Sequence, residues 1–191
     1  MLIDLQKKIL LRLARQIIEE ELGQQATDPV AEKELDNPEF RQHYGVFVTL
    51  NFDGMLRGCI GSLLGVESLI AAVRRHAINA ALRDNRFPLL TVNELAEVVI
   101  EISILTPPQN LEYRDSADLI CCLRPDIDGV ILKIPGGPGA TFLPQVWKQL
   151  PEPEAFLCHL CLKAGLPADT WQHGDLTVQT YQACYFNEQE F

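Results

Sequence analysis

The chain has 191 residues, 47% of them hydrophobic and 22% charged, with a formal net charge of −10. A chain of this size buries roughly 70% of the surface its unfolded form exposes, so a fold needs no disulfide support, and the composition is that of a globular rather than a disordered protein. The acidic balance argues against a broad nucleic-acid-coating surface, and no apolar stretch approaches the ~20 residues of a membrane span.

Asp4, Lys7, Lys8 and Arg12 interrupt any secretory h-region, so the expected compartment is the cytoplasm. The six cysteines include an adjacent pair, Cys121 and Cys122, which suits free, partly buried thiols better than a disulfide framework.

Leu5, Ile9, Leu13 and Ile17 recur at helical spacing and predict an amphipathic helix over residues 2–22, with Gly23 at its C-terminal end. The acidic stretch from Gln24 to Phe40, carrying Pro29 and Pro38, reads as a loop with little regular structure. Gly45 to Phe52 is rich in strand formers, and Asp53-Gly54 is a favoured two-residue hairpin turn returning through Met55 to Gly61. Strict alternation along that return strand places Arg57 and Cys59 on one face, with Leu56 and Ile60 on the other.

Residues 67–83 predict a second helix, with Leu69, Val73, Ala77, Ala80 and Ala81 inward and Arg75, His76, Asn79 and Arg83 on its polar face. Val98 to Leu105 is a strand, and Asp115 to Leu123 a short helix. Gly129 to Ile134 pairs with Ala140 to Leu143 across the Gly136-Gly-Pro-Gly139 turn. A short helix follows from Pro144 to Lys148, and Pro153 and Gly165 bracket another. Thr177 to Phe186 reads as one final strand. Helices mixed with hairpins give an α+β fold rather than a doubly wound sheet.

The hexapeptide Leu56-Arg-Gly-Cys-Ile-Gly61 resembles the signature of the AMMECR family, which includes the AmmeMemoRadiSam system protein A group. The likeness continues at Asp84-Asn-Arg-Phe-Pro88, Glu94-Leu95, Glu101 to Pro107, Asp128-Gly-Val130, Leu143-Pro-Gln-Val146 and Lys163-Ala-Gly-Leu166. It implies a two-lobed α+β fold in one domain over residues 1–191, with residues 45–84 holding the signature hairpin and helix. It further implies that an antiparallel sheet flanked by helices forms the larger lobe from both ends of the chain. The resemblance also implies an association with Memo-type and radical-SAM proteins. It assigns no reaction.

The residues themselves suggest one. A guanidinium beside a free thiol lowers its pKa and yields a nucleophile, which makes Cys59 with Arg57 the leading candidate site. Gly58 and Gly61 would let a ligand or another backbone approach. Arg57, Arg74, Arg75, Arg83 and Arg86 cluster without a lysine, opposed between Gly54 and Pro88 only by Glu67 and Asp84. Arginine favours planar, bidentate recognition of carboxylate or phosphate. Arg57 and Arg86 are therefore candidate binders of an anionic small molecule or modified protein, with Asp84 orienting an arginine or a substrate donor. The bland alternatives are a packing cysteine, solvated helix arginines and a structural Asp84–Arg86 pair.

His76 is read as solvent-facing rather than as a base for Cys59. Cys158-His-Leu-Cys161 lacks the second half of a zinc site, and Cys161 falls on an apolar stripe; no metal or cofactor is expected. Gly136 to Gly139 joins two strands and lacks the Lys-Ser/Thr of a P-loop. A thiol-dependent enzyme or enzyme subunit heads the readings, a non-catalytic adaptor using the same cleft is its rival, and RNA contact through the arginines is weaker because the net field is repulsive.

Overall fold

The structure, a computed structural model, describes residues 2–191 and forms two compact units. The first contains the chain up to Leu105 together with Cys184–Phe191; the second is Thr106–Ala183.

The first unit begins with helix α1, Asp4–Glu21, where the Gln6 side chain accepts the Ile3 N–H at 2.9 Å. Leu10, Leu13, Ala14 and Ile18 form its buried line, while Leu5 is left exposed, so the inward stripe is rotated from the expected one. Gly23 takes φ +75° and the Gln24 N–H reaches Glu19 O at 2.8 Å, the Schellman closure that glycine makes cheap. The stretch expected to be irregular holds two short turns, α2 at Glu32–Leu35 and a 3-10 turn at Pro38–Arg41, with Phe40 buried.

Strands β1, Gly45–Phe52, and β2, Met55–Ser62, form the expected hairpin; Asp53 and Gly54 both take positive φ, as a type I′ turn requires. Helix α3, Leu69–Leu82, follows, capped by Ser68. A one-turn helix, α4, Val92–Leu95, precedes β3, Val98–Leu105.

The second unit contains β4, Gln109–Asn110, α5, Ser116–Cys122, β5, Gly129–Lys133, β6, Gly139–Phe142, and a 3-10 turn at Pro144–Lys148. Then come α6, Pro153–Lys163, α7, Thr170–His173, and β7, Thr177–Tyr181. The last strand, β8, Ala183–Asn187, returns to the first unit's sheet. The single final strand expected over Thr177 to Phe186 is thus two strands. They part at Gln182, whose backbone N–H and C=O turn to Thr106 Oγ1 and Thr106 N, both at 2.9 Å. A β-rich composition cannot signal that switch, because it favours both strands equally.

The first sheet has order β2-β1-β3-β8 and the second β4-β7-β5-β6; the α+β class and the larger unit built from both ends of the chain stand as expected. Val46, Val48 and Leu50 of β1 and Ile100 and Ile102 of β3 join the α1 and α3 stripes in one core. The second unit has its own core, in which Trp147 stacks on Phe156 at 3.7 Å between ring centroids. Among the described residues no helix is long and apolar enough to cross a membrane.

Candidate functional site

The signature hexapeptide lies on β2, the end strand of its sheet, and its geometry is set by one irregularity. Counting out from the two-residue turn puts Thr49 opposite Gly58. In the structure Leu50 pairs with Gly58 and Asn51 with Leu56, so Arg57 is an extra residue, a β-bulge, and Thr49 faces Cys59. A bulge resets the two-residue period. The expected shared face of Arg57 and Cys59 is therefore corrected: Cys59 lies with Thr49, and Leu56 with Asn51, along the β1 row that alternates with buried Val46, Val48 and Leu50.

Arg57, itself buried, leaves this row for an ion pair with the half-buried Glu94. Its Nε donates to Glu94 Oε1 at 2.9 Å, and its Nη2 to Glu94 Oε2 at 3.2 Å and to Leu89 O at 3.3 Å. Glu94 also accepts from Thr91 N and Thr91 Oγ1, closing a capping box at α4. Arg57 first, and then the Thr91 N–H, hold the Glu94 carboxyl down at about 2. Glu94 is the residue the sequence reading missed as Arg57's partner, although the Thr-x-x-Glu spacing of a capping box was readable.

The Cys59 thiol has Thr49 as its hydrogen-bonding neighbour, with Oγ1 donating to Sγ at 3.3 Å. The Cys59 backbone is held from outside the sheet. Its N–H donates to Asp84 Oδ2 at 2.9 Å, and its carbonyl accepts from Arg86 Nη2 at 3.1 Å. Asp84 in turn takes Arg86 in a two-point grip, Nε to Oδ1 at 2.9 Å and Nη2 to Oδ2 at 2.7 Å. Asp84 is buried with a side chain 3% exposed, whereas the Arg86 side chain is 53% exposed. The Arg86 guanidinium, aided by the N–H groups of Cys59 and Arg86, holds the Asp84 carboxyl well below the usual carboxylate range. Arg86 also lies over the Phe87 ring, 5.5 Å from its centroid. The structure thus brings Asp84 and Arg86 to Cys59, through the peptide group rather than the thiol.

Both signature glycines serve close packing. A Cβ on Gly58 would lie 2.2 Å from the Ala80 carbonyl oxygen of α3, and one on Gly61 would lie 2.3 Å from the Phe47 ring. The arginine cluster is largely spent in ion pairs: besides those of Arg57 and Arg86, Arg75 Nε bonds Glu67 Oε1 at 2.6 Å.

His76 corrects another expectation. It is 1% exposed, on the inward line of Leu69, Ala72, Val73, Ala77 and Ala80, with Nε2 near Ser62 Oγ at 3.4 Å and Arg75 Nη2 at 3.3 Å. Burial, then the Arg75 cation, pushes its pKa below the ordinary value. Counting the inward period from Leu69 would have reached His76 at the second turn.

In the second unit Cys161 is fully buried and its thiol is pushed up by burial, while Cys158 Sγ accepts from Trp171 Nε1 at 3.3 Å. Gly136 sits in the β5–β6 turn at φ +70°.

Comparison with known proteins follows the same residues. The AMMECR1 family model matches residues 11–186. A protein from Methanothermobacter thermautotrophicus is 40% identical over 187 residues, covering 95% of this chain and 93% of that one. Protein MJ0810 from Methanocaldococcus jannaschii is 37% identical, covering 79% of this chain and 76% of its own length. The crystal structure of the uncharacterized protein PH0010 from Pyrococcus horikoshii superposes with a TM-score of 0.80 at 35% identity, covering 94% of this chain and 90% of that one.

Proposed function

This chain belongs to the AMMECR1 family, and on that premise we propose that it is a recognition module rather than a thiol-dependent enzyme. In this reading the signature strand and Arg86 engage an anionic group on a small molecule or modified protein.

The observation that carries this reading is where the charges around Cys59 are committed. A thiolate nucleophile needs a base or an unspent cation at the sulfur. Arg57 is consumed by Glu94 and Leu89 O, and Asp84 by Arg86 and the Cys59 N–H, while His76 turns Nε2 to Ser62 and Arg75 and keeps its partnerless Nδ1 buried, with no hydrogen bond to the sulfur. Thr49, the neighbour at the sulfur, offers a hydroxyl proton and no basic atom of suitable strength. Arg86 is different: its orientation is fixed by a buried carboxylate while half its side chain faces solvent. A guanidinium held in that way loses little freedom on meeting a carboxylate or phosphate. The Memo-type and radical-SAM proteins implied by the family resemblance are the protein partners to examine for such a group.

Alkylation with iodoacetamide at pH 7, followed by peptide mass spectrometry, tests the choice. Cys59 is expected to react no faster than Cys121, the exposed thiol. A Cys59 rate roughly tenfold above that of Cys121 would mark an activated thiolate and restore the enzyme reading.

A further inference from the structure

The second unit holds a polar cavity of about 200 Å³ lined by Thr106, Gln109, Arg124, Asp128, Thr180 and Gln182, with Pro107 and Tyr181. Its charged member is built like the Arg86 grip, on unrelated residues. Asp128, 1% exposed, accepts from Arg124 N and Nε at 3.0 Å through Oδ2, and from Arg124 Nη2 at 2.6 Å through Oδ1. The Asp128 backbone is fixed as well, its N–H on Arg124 O at 3.0 Å and its carbonyl on Trp147 Nε1 at 2.7 Å. Its carboxylate is thus occupied on both oxygens, while the Arg124 side chain remains 55% exposed.

The rest of the lining supplies neutral donors. Thr106 Oγ1 accepts from Gln182 N, which leaves its own hydroxyl proton to give. The Tyr181 hydroxyl is turned away to Thr141 Oγ1 and Phe142 O. Among the described residues, no second carboxylate lines the cavity. One oriented guanidinium, a saturated carboxylate and several hydroxyl and amide donors match an acceptor-rich, negatively charged group. The volume is below the range of about 300–1,000 Å³ usual for larger ligands, so that group sits on a small molecule.

We propose that this cavity binds a small oxyanion, a carboxylate or a phosphate group, with Arg124 as the charged donor and Thr106, Thr180 and Gln182 as neutral ones. The site is separate from Cys59 and Arg86, and it does not depend on how those residues act.

The test is a backbone-amide NMR titration of the full chain with sodium phosphate and, separately, sodium acetate, against sodium chloride at matched ionic strength. At least one of the two anions is expected to give saturable shifts at Thr106, Thr180 and Gln182, with a dissociation constant on the order of 1 mM. Which anion saturates identifies the source of the charge. Arg124→Gln is expected to abolish the shifts. Because that change strips a buried carboxylate of its partner, Thr180→Val, which leaves the Arg124–Asp128 pair intact, serves beside it and is expected to weaken binding roughly tenfold. Shifts reproduced by chloride, shifts indifferent to Thr180→Val, or saturation confined to Arg86 and Phe87 would each overturn the proposal.

Discussion

Gly58→Ala is expected to cost about 3 kcal/mol, the upper end for overpacking a well-filled site. The new methyl would lie 2.2 Å from the Ala80 carbonyl oxygen and 3.2 Å from its carbon, with Leu50 Cδ1 at 3.7 Å. The first two are backbone atoms of a helix whose inward side chains are buried, so no rotamer change relieves the clash. Either α3 lifts off β2, loosening the packing of Val73 and Ala77, or β2 gives up its pairing beside the bulge. For a chain of this length that loss corresponds to a fall in Tm of roughly 6–12 °C. Thermal and urea unfolding followed by circular dichroism would measure it. A loss under about 1 kcal/mol would show that the helix and strand do not approach as closely as described.

Asp84→Asn should cost about 2–3 kcal/mol at neutral pH, somewhat less than breaking a fully buried pair, because the half-exposed Arg86 can return to water. The amide cannot supply two acceptor oxygens to Arg86 and the Cys59 N–H together; one donor is left facing another. The pH dependence has a definite sign. The Asp84 carboxyl is held below its unfolded value, so its contribution is complete above about pH 4 and is lost as pH falls below that. Glu94, held at about 2 chiefly by Arg57, acts in the same direction over the interval below its own unfolded value. The stability gap between wild type and Asp84→Asn should therefore narrow between pH 7 and pH 3. An equal gap at both would contradict the depressed carboxyl.

These two residues also mark how far the sequence could be read. Local chemistry was legible where one interaction dominates: Asp53-Gly54 needs positive φ at both positions, and Gly23 closes α1 for the same reason. The Asp84–Arg86 contact, weighed there only as the alternative to a binding role, was within reach because the two are two residues apart. The bulge at Arg57 was not legible, since it is decided by where α3 presses on Gly58 and where Glu94 waits, 37 residues away. His76 was misplaced because a polar side chain was given more weight than the period of the stripe it belongs to. A reading that trusted the period would have buried it.

The contacts made by Asp84 and Arg86 have one more consequence. Strand β2 ends its sheet, and at such a margin an unpaired N–H and C=O can template a strand from another molecule. At Cys59 the Asp84 oxygen stands where a neighbouring carbonyl would accept, and the Arg86 nitrogen where a neighbouring amide would donate. Two side chains thus imitate one residue of a missing strand and deny the position to strangers. Loss of either would leave this edge open to sheet-to-sheet self-association, visible as concentration-dependent sedimentation well before the fold itself gives way.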